Sequence, residues 1–318
     1  MSVTLFTIPK PFIGGDAIRQ RNAIGSWHHA FPGCQILFFG DDAGVAEAAA
    51  ELGVEHVPGI ECNDFGTPLL SWAFDTAKAR ARHATLGYVN ADIIFLPGMA
   101  DKLAPTIAQG YFIVGRRTDV DFCAPLDFTS DWASFLYREL IPGGKLAAPS
   151  CMDYFIFSRN TFTAFPRFLV GRPFWDTWMI VQANQRGLCT INVTSAVLIL
   201  HQNHGYHHVK CATGPQWQGP EGVYNQNLAG RVTNAIGNTD AARFTMTASG
   251  QIVPHPLVRK LYTALMNYHR DTLQKTPSLA LQTRVWLARL FSRGWERYPK
   301  LCAPGPQRQA LLRWLLRP

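Results

Sequence analysis

The strongest constraint on how this chain can fold is the alternation in its first half. Short apolar runs at 2–8 (SVTLFTI), 35–39 (QILFF), 54–57 and within LGYVNADIIFL at 86–96 are separated by stretches of helical character. Short apolar runs bounded by Gly and Asp read as buried strands. The intervening helices are 16–30 after Gly14-Gly15, the Ala-rich 43–52, and 67–83, where Pro68 is tolerated in the first turn. Strands and helices in alternation predict an α/β fold built on a mainly parallel sheet covered on both faces. In such sheets ligands gather at the carboxyl ends of the strands.

The second half is less regular. Residues 111–115 and 153–158 read as strands, 175–187 as a helix closed by Gly187, and 189–200 as a strand or a pair of strands. The stretch 205–254, rich in Gly, Asn, Gln and Thr, is expected to be loops that order when ligand binds. Helices are expected at 255–275 and 279–298, with Pro304-Gly305-Pro306 before a last short one. The expected organisation is one domain over 1–250 and a helical extension over 251–318.

With 318 residues and 47% hydrophobic content, the chain can bury a core without staples. Its seven cysteines are odd in number and never spaced C-x-x-C, which argues against a disulfide framework or a cysteine zinc site. A reducing, cytoplasmic setting follows, with neither a signal peptide nor a membrane-spanning run expected. Residues 251–318 hold twelve Lys or Arg against two acids, whereas the preceding residues are slightly acidic. In 284–298, Arg289, Arg293 and Arg297 recur along one helix face, with Leu287, Leu290, Phe291, Trp295 and Tyr298 opposite. That pattern suits either a helix packed on the body with a solvated basic side or docking on an anionic membrane. Docking is the reading preferred here, making the protein peripheral on the inner face of a membrane. Nucleic acid is not expected as a partner, since the body is acidic and no binding motif is present.

Five segments carry residues capable of chemistry. In Asn90-Ala91-Asp92 a carboxylate follows a buried strand, where it either caps a turn or faces a divalent cation. In His201-Gln202-Asn203-His204, with His207 and His208 beyond, two imidazoles three residues apart follow an apolar run. They are either a polar loop or a ligand pair for one metal ion. Asp176, between Trp175 and Trp178 at a helix start, is an N-cap or a general base shielded from water. Asp153, opening an apolar strand, caps a turn or holds sugar hydroxyls. Asn63-Asp64-Phe65-Gly66-Thr67-Pro68 leads into a helix whose first N–H groups are free for phosphate.

Taken in order, these segments resemble the GT-A glycosyltransferases. Over roughly residues 3–210 (GTPLL, YVNADIIFL, MDYFIF, GRPFWDTWMI, HQNHGYHH) the chain also resembles a group of poorly characterised bacterial glycosyltransferase-like proteins. The resemblance implies a GT-A-like, Rossmann-type fold of mixed, mainly parallel sheet flanked by helices. It implies a D-x-D metal and diphosphate motif at Asn90-Ala91-Asp92, with Asn90 a departure that leaves the metal contact to Asp92. It assigns Asp176 as the base in an inverting transfer, Asp153 as a second catalytic candidate, and His201 and His204 as further metal ligands. Thr7, Pro9, Asp41, Asp64, Gly66 and Thr67, with Asn90 and Asp92, are the implied donor-binding positions. A divalent cation, Mn²⁺ or Mg²⁺, a nucleotide-sugar donor such as a UDP-sugar, and a glycan or lipid-linked acceptor complete the expectation, with a place in polysaccharide biosynthesis. The alternatives are a nucleotidyltransferase on a related sheet and a catalytically inactive glycan- or membrane-binding protein.

Overall fold

The computed structural model describes residues 1–204, 219–230, 232 and 237–255. The basic helices expected over 255–275 and 279–298, the last short helix, and His207 and His208 lie outside the described residues, apart from His255.

The alternation of the first half becomes β1 (Thr4–Thr7), α1 (Gly14–Ala30), β2 (Gln35–Phe39), α2 (Val45–Leu52), β3 (Glu55–Val57), α3 (Leu70–Arg80) and β4 (Thr85–Val89). Then follow β5 (Ile93–Phe95), α4 (Met99–Leu103), β6 (Tyr111–Val114), β7 (Thr118–Val120), α5 (Trp132–Phe135), β8 (Lys145–Leu146) and β9 (Tyr154–Ser158). The chain continues through α6 (Trp175–Gln185), β10 (Cys189–Asn192), β11 (Ile199–Gln202), α7 (Pro220–Ala229), β12 (Phe244–Met246) and β13 (Ile252–Pro254).

The strands form two sheets. The larger has nine strands in the order β13-β12-β10-β6-β9-β4-β1-β2-β3. It is mainly parallel, because β9 reverses direction between β4 and β6 and β13 pairs back on β12 while the other neighbours run together. This is the expected α/β architecture. The smaller sheet, order β5-β11-β7-β8, was not foreseen.

Each face of the large sheet is covered. Phe6, Tyr88, Phe112, Phe155 and Phe157 pack on one side with Leu70 and Phe74 of α3 and Trp175, Trp178 and Met179 of α6. Leu5, Phe38, Ile113 and Ile156 pack on the other with Ile24 and Trp27 of α1. Successive side chains of a strand point to opposite faces, so buried strands between two helical layers must be apolar throughout. The runs LF, ILFF and YFIF meet that demand, and buried Gln35 at the start of β2 is paired with Thr4 through a side-chain hydrogen bond of 2.9 Å. The small sheet has its own core of Ile94, Leu96, Val120, Trp132, Leu136 and Leu200.

Several expected boundaries move. The helix predicted over 67–83 begins only at Leu70, because Pro68 bridges to Cys62 and Leu69 to Leu169, holding the backbone extended. The stretch expected to be loops over 205–254 contains α7 and the β12–β13 hairpin. The last strand lies past residue 250, and β12 extends the large sheet through β10. The segment 189–200 resolves into a pair of strands, β10 and β11, in different sheets. Among the described residues no helix is long and apolar enough to cross a membrane, and Cys34, Cys62, Cys123, Cys151 and Cys189 are free thiols.

Candidate functional site

Three strands leave the large sheet and re-enter as the small one: β4 into β5, β6 into β7 and β10 into β11. Polar residues at these crossings converge. β11 is flanked on one side by β5, with His201 opposite Ile93, and on the other by β7, with His201 opposite Asp119. Asp92 immediately precedes β5 and therefore comes to lie beside His201. Buried Gln202 fixes that approach: its amide and its side-chain NH₂ donate to the Asp92 carbonyl at 3.3 and 3.2 Å. Asn22 of α1 in turn donates to the Gln202 side chain at 2.9 Å.

Asp92, His201 and His204 form the group among the described residues that can hold a metal ion, their ligand atoms all within 4.8 Å of one another. His204 Nε2 is 2.9 Å and His201 Nε2 3.9 Å from Asp92 Oδ2. Two ligands of one ion with bonds of about 2.1 Å lie no more than about 4.2 Å apart, so both distances fit a shared cation. Asp92 Oδ1 is buried without a hydrogen-bond partner among the described residues, a costly state for a carboxylate oxygen that a cation would relieve. His204 Nε2 also lies 3.2 Å from Lys10 Nζ. One nitrogen cannot donate to a carboxylate and accept from an ammonium at once, so only one of these two contacts is a hydrogen bond. Burial alone would raise the Asp92 carboxyl, but the His204 hydrogen bond and the electrostatic pull of neighbouring His201 and Lys10 hold it well below the usual carboxylate range.

Asn90 does not join this group. Its amide donates to Asp153 Oδ1 at 2.7 Å, and its backbone N–H to the Asp153 carbonyl at 2.9 Å. An aspartate at 90 would set two carboxylates in contact, which accounts for the amide at this position. The other oxygen of buried Asp153 accepts from Arg117 NH1 at 2.8 Å, and Arg117 Nε donates to Asp119 Oδ1 at 2.9 Å. Burial would lower the Arg117 guanidinium, but Asp153 and Asp119 outweigh it and hold the proton more tightly than usual.

Asp176 stands in the first turn of α6. Phe174, just before it, is in the left-handed region at φ 80°, a rare conformation for a bulky residue and costly to hold. The loop is braced from α7. Buried Asn225 donates to the carbonyls of Leu169 and Pro173 and accepts from the Leu169 amide. Glu221 receives Arg172 through Nε at 2.9 Å. Trp175 packs edge-on against Tyr88 and Phe155, at 5.0 and 5.6 Å between centroids. In these surroundings burial, reinforced by the nearby Asp153 charge, pushes the Asp176 carboxyl up to about 7 against the opposing Thr177 amide hydrogen bond.

The remaining predicted positions are distributed along the strand ends. Thr7 and Pro9 are buried at the end of β1, with Thr7 Oγ1 lacking a partner among the described residues. Asp41, exposed past β2, accepts from the Gly59 amide at 2.7 Å. Asp64 is exposed, and Gly66 takes φ 81°. The loop expected to offer free amides to phosphate instead commits them internally. The N–H groups of Phe65 and Thr67 donate to Asn63 Oδ1, and that of Gly66 to the Asn63 carbonyl. Asn63 is held in turn by Glu221 of α7 at 2.8 Å, a tie invisible while 205–254 is read as loops. Arg117, Asp119 and Gln202 were missed. The alternating charges of Arg117-Thr118-Asp119-Val120-Asp121, directly after an apolar strand, were the available signal.

No protein-family model matches the sequence, and no curated protein matches it. Solved structures similar to the chain include a mannosyltransferase from Pyrobaculum calidifontis in complex with GDP-Man and Mn²⁺. It is 12% identical, with 98% of this chain and 78% of that one covered at a TM-score of 0.41. S. aureus TarS in complex with UDP-GlcNAc is 10% identical, covering 91% of this chain and 79% of its own at 0.48. M. tuberculosis glucosyl-3-phosphoglycerate synthase is 14% identical, covering 64% and 73% at 0.38. These figures describe a distant likeness.

Proposed function

We propose that the chain is a glycosyltransferase that moves a sugar from a nucleotide diphosphate donor, a UDP-sugar, to a hydroxyl of a glycan or lipid-linked acceptor. The observation that carries this reading is the convergence of Asp92, His201 and His204 where β4 and β10 leave the large sheet, with Asp153 joined to the same crossings through Asn90 and Arg117. The sequence resemblance and the complexes reported for the distant structural neighbours support the same reading.

Asp92, His201 and His204 would hold Mn²⁺ or Mg²⁺. When bound, such a cation neutralises charge on a leaving diphosphate. Lys10, next to His204, is positioned to turn toward the same phosphates. Asp176 serves as the base: the acceptor oxygen bonds to the anomeric carbon as the bond to diphosphate breaks, and the acceptor proton passes to the Asp176 carboxylate. A carboxyl near 7 suits a base working near neutral pH, and a single displacement inverts the anomeric centre. Thr7, Pro9, Asp41, Asp64, Gly66, Thr67 and Asn90 are proposed to face the donor, and the basic tail to hold the protein against the inner face of a membrane.

A second reading, nucleotidyl transfer, is favoured by Lys10, a basic residue just past the first strand and beside the metal group. Incubation with a panel of nucleotide sugars and Mn²⁺, followed by product analysis, separates the two. Free nucleoside diphosphate is expected. Pyrophosphate released in a parallel incubation with nucleoside triphosphates and sugar 1-phosphates would replace the proposal with its rival, and a donor that binds without turnover would leave a binding protein.

A further inference from the structure

We propose that Asp119 is the positioning residue of the Asp92–His201–His204 group, selecting which nitrogen of His201 is presented to a divalent cation. The inference rests on the metal reading above for its consequence, and on strand register and donor–acceptor chemistry for its geometry.

His201 occupies the middle of the small sheet. In the parallel pairing of β11 with β7 its register partner is Asp119, and in the antiparallel pairing with β5 it is Ile93, the residue after Asp92. The imidazole therefore lies between two carboxylates held by different strands. Its two nitrogens divide them: Nδ1 is 3.0 Å from Asp119 Oδ1, a hydrogen-bond distance, while Nε2 is 3.9 Å from Asp92 Oδ2, too far for one. An ionised carboxylate only accepts, so the proton belongs on Nδ1. The Nε2 lone pair then faces Asp92 across a gap that fits a cation. Histidine metal ligands commonly have the second nitrogen held in this way by a carboxylate.

Asp119 is itself fixed. Arg117 Nε donates to the same oxygen at 2.9 Å, and the other end of the guanidinium holds Asp153 at 2.8 Å. Arg117 and His201 are both largely buried, with side-chain exposures of 13% and 5%, so the arrangement has little freedom to reorient. With Asp119 removed, no other contact of His201 among the described residues places the proton on Nδ1. The ring would then settle with the proton on Nε2, donating toward Asp92 and closing the ligand group.

The test uses the full-length chain, with ¹⁵N-labelled histidine, metal-free and then titrated with Mn²⁺ in the absence of nucleotide. The His201 signal is assigned by its loss in His201→Gln. In the unsubstituted protein it should show the Nδ1–H tautomer. Asp119→Ala should shift it to Nε2–H and weaken Mn²⁺ binding, measured by calorimetry, by about 10- to 100-fold. Asp119→Thr, which suits a strand, should do the same and serves if the alanine variant does not fold. Asp119→Asn should recover most of the affinity, since its amide oxygen can still receive both donors. An unchanged tautomer and unchanged Mn²⁺ affinity in folded Asp119→Ala or Asp119→Thr would overturn the proposal. If the unsubstituted protein binds no Mn²⁺ yet the tautomer shifts as described, the metal reading fails while the positioning of His201 by Asp119 stands.

Discussion

Replacing Asp176 by Asn should make the fold more stable above neutral pH while removing most of its activity. The native carboxyl titrates near 7, against 3.8 for an unperturbed aspartate. Between those values the native state keeps a proton that the unfolded chain has released, so stability must fall as pH rises from about 4 to about 7. Three units at about 1.4 kcal/mol each set an upper bound of about 4 kcal/mol. Asp176 is only partly buried, and solvent screening reduces the expected cost to about 2 kcal/mol. Asn is close to an isostere of the neutral acid and keeps the oxygen that accepts from the Thr177 amide at 2.8 Å. Urea unfolding at pH 5 and pH 8 samples about two of those three units: the unsubstituted protein should lose stability between them, and Asp176→Asn should lose about 1 kcal/mol less. Turnover should fall by about 10²-fold or more, the usual scale for loss of a general base, with donor affinity unchanged because the lost interaction belongs to the transition state. A variant less stable at pH 8, or one that keeps its turnover per folded molecule, would refute the reasoning and move the role of base to Asp153.

Three other outcomes are expected, two from the geometry of the site and one from the sequence of the tail. Asp92→Ala should abolish the enhancement of nucleotide binding by Mn²⁺, read by calorimetry; unchanged affinity would remove Asp92 from the metal group. Asn90→Asp should destabilise the fold by about 1–3 kcal/mol, since it replaces a 2.7 Å hydrogen bond to Asp153 with a second carboxylate. Adding Asp153→Asn should relieve part of that loss in a denaturant titration. Full-length protein should sediment with anionic liposomes and be released as salt rises, while Arg289→Glu, Arg293→Glu and Arg297→Glu together should prevent sedimentation.

What could be read in advance, and what could not, divides along the range of the interactions involved. β1, β2, β4 and β9 were legible because burial on both faces forces uninterrupted apolar runs. Asp92, His201, His204 and Asp176 stood out because charged or imidazole groups beside such runs need a partner. Asp119 and Arg117 were hidden, since only the pairing of β7 with β11, some eighty residues apart, sets Asp119 beside His201. α7 escaped because PEGVYNQNLA has no apolar stripe; it is held by Asn225 and Glu221 reaching to other segments. The Asn63 loop had the right residues for an open anion cradle, but its own side chain closes it.

The way the small sheet is seated has a consequence for how this protein would fail. Ile94, Val120, Leu200 and Trp132 form a cluster on one face of it, but Ile93, Phe95 and Ile199 on the other belong to one of the two cores that clamp the large sheet. Trp27 of α1 donates to the Ile93 carbonyl at 2.7 Å, and Ser26 accepts from the Phe95 amide at 3.0 Å. Elements that share a buried cluster open together, so His201 and Asp119 on the small sheet should stay in place until the large sheet gives way. Circular dichroism and loss of the metal group should then report the same thermal transition, and the useful working range of the chain would be that of its larger sheet.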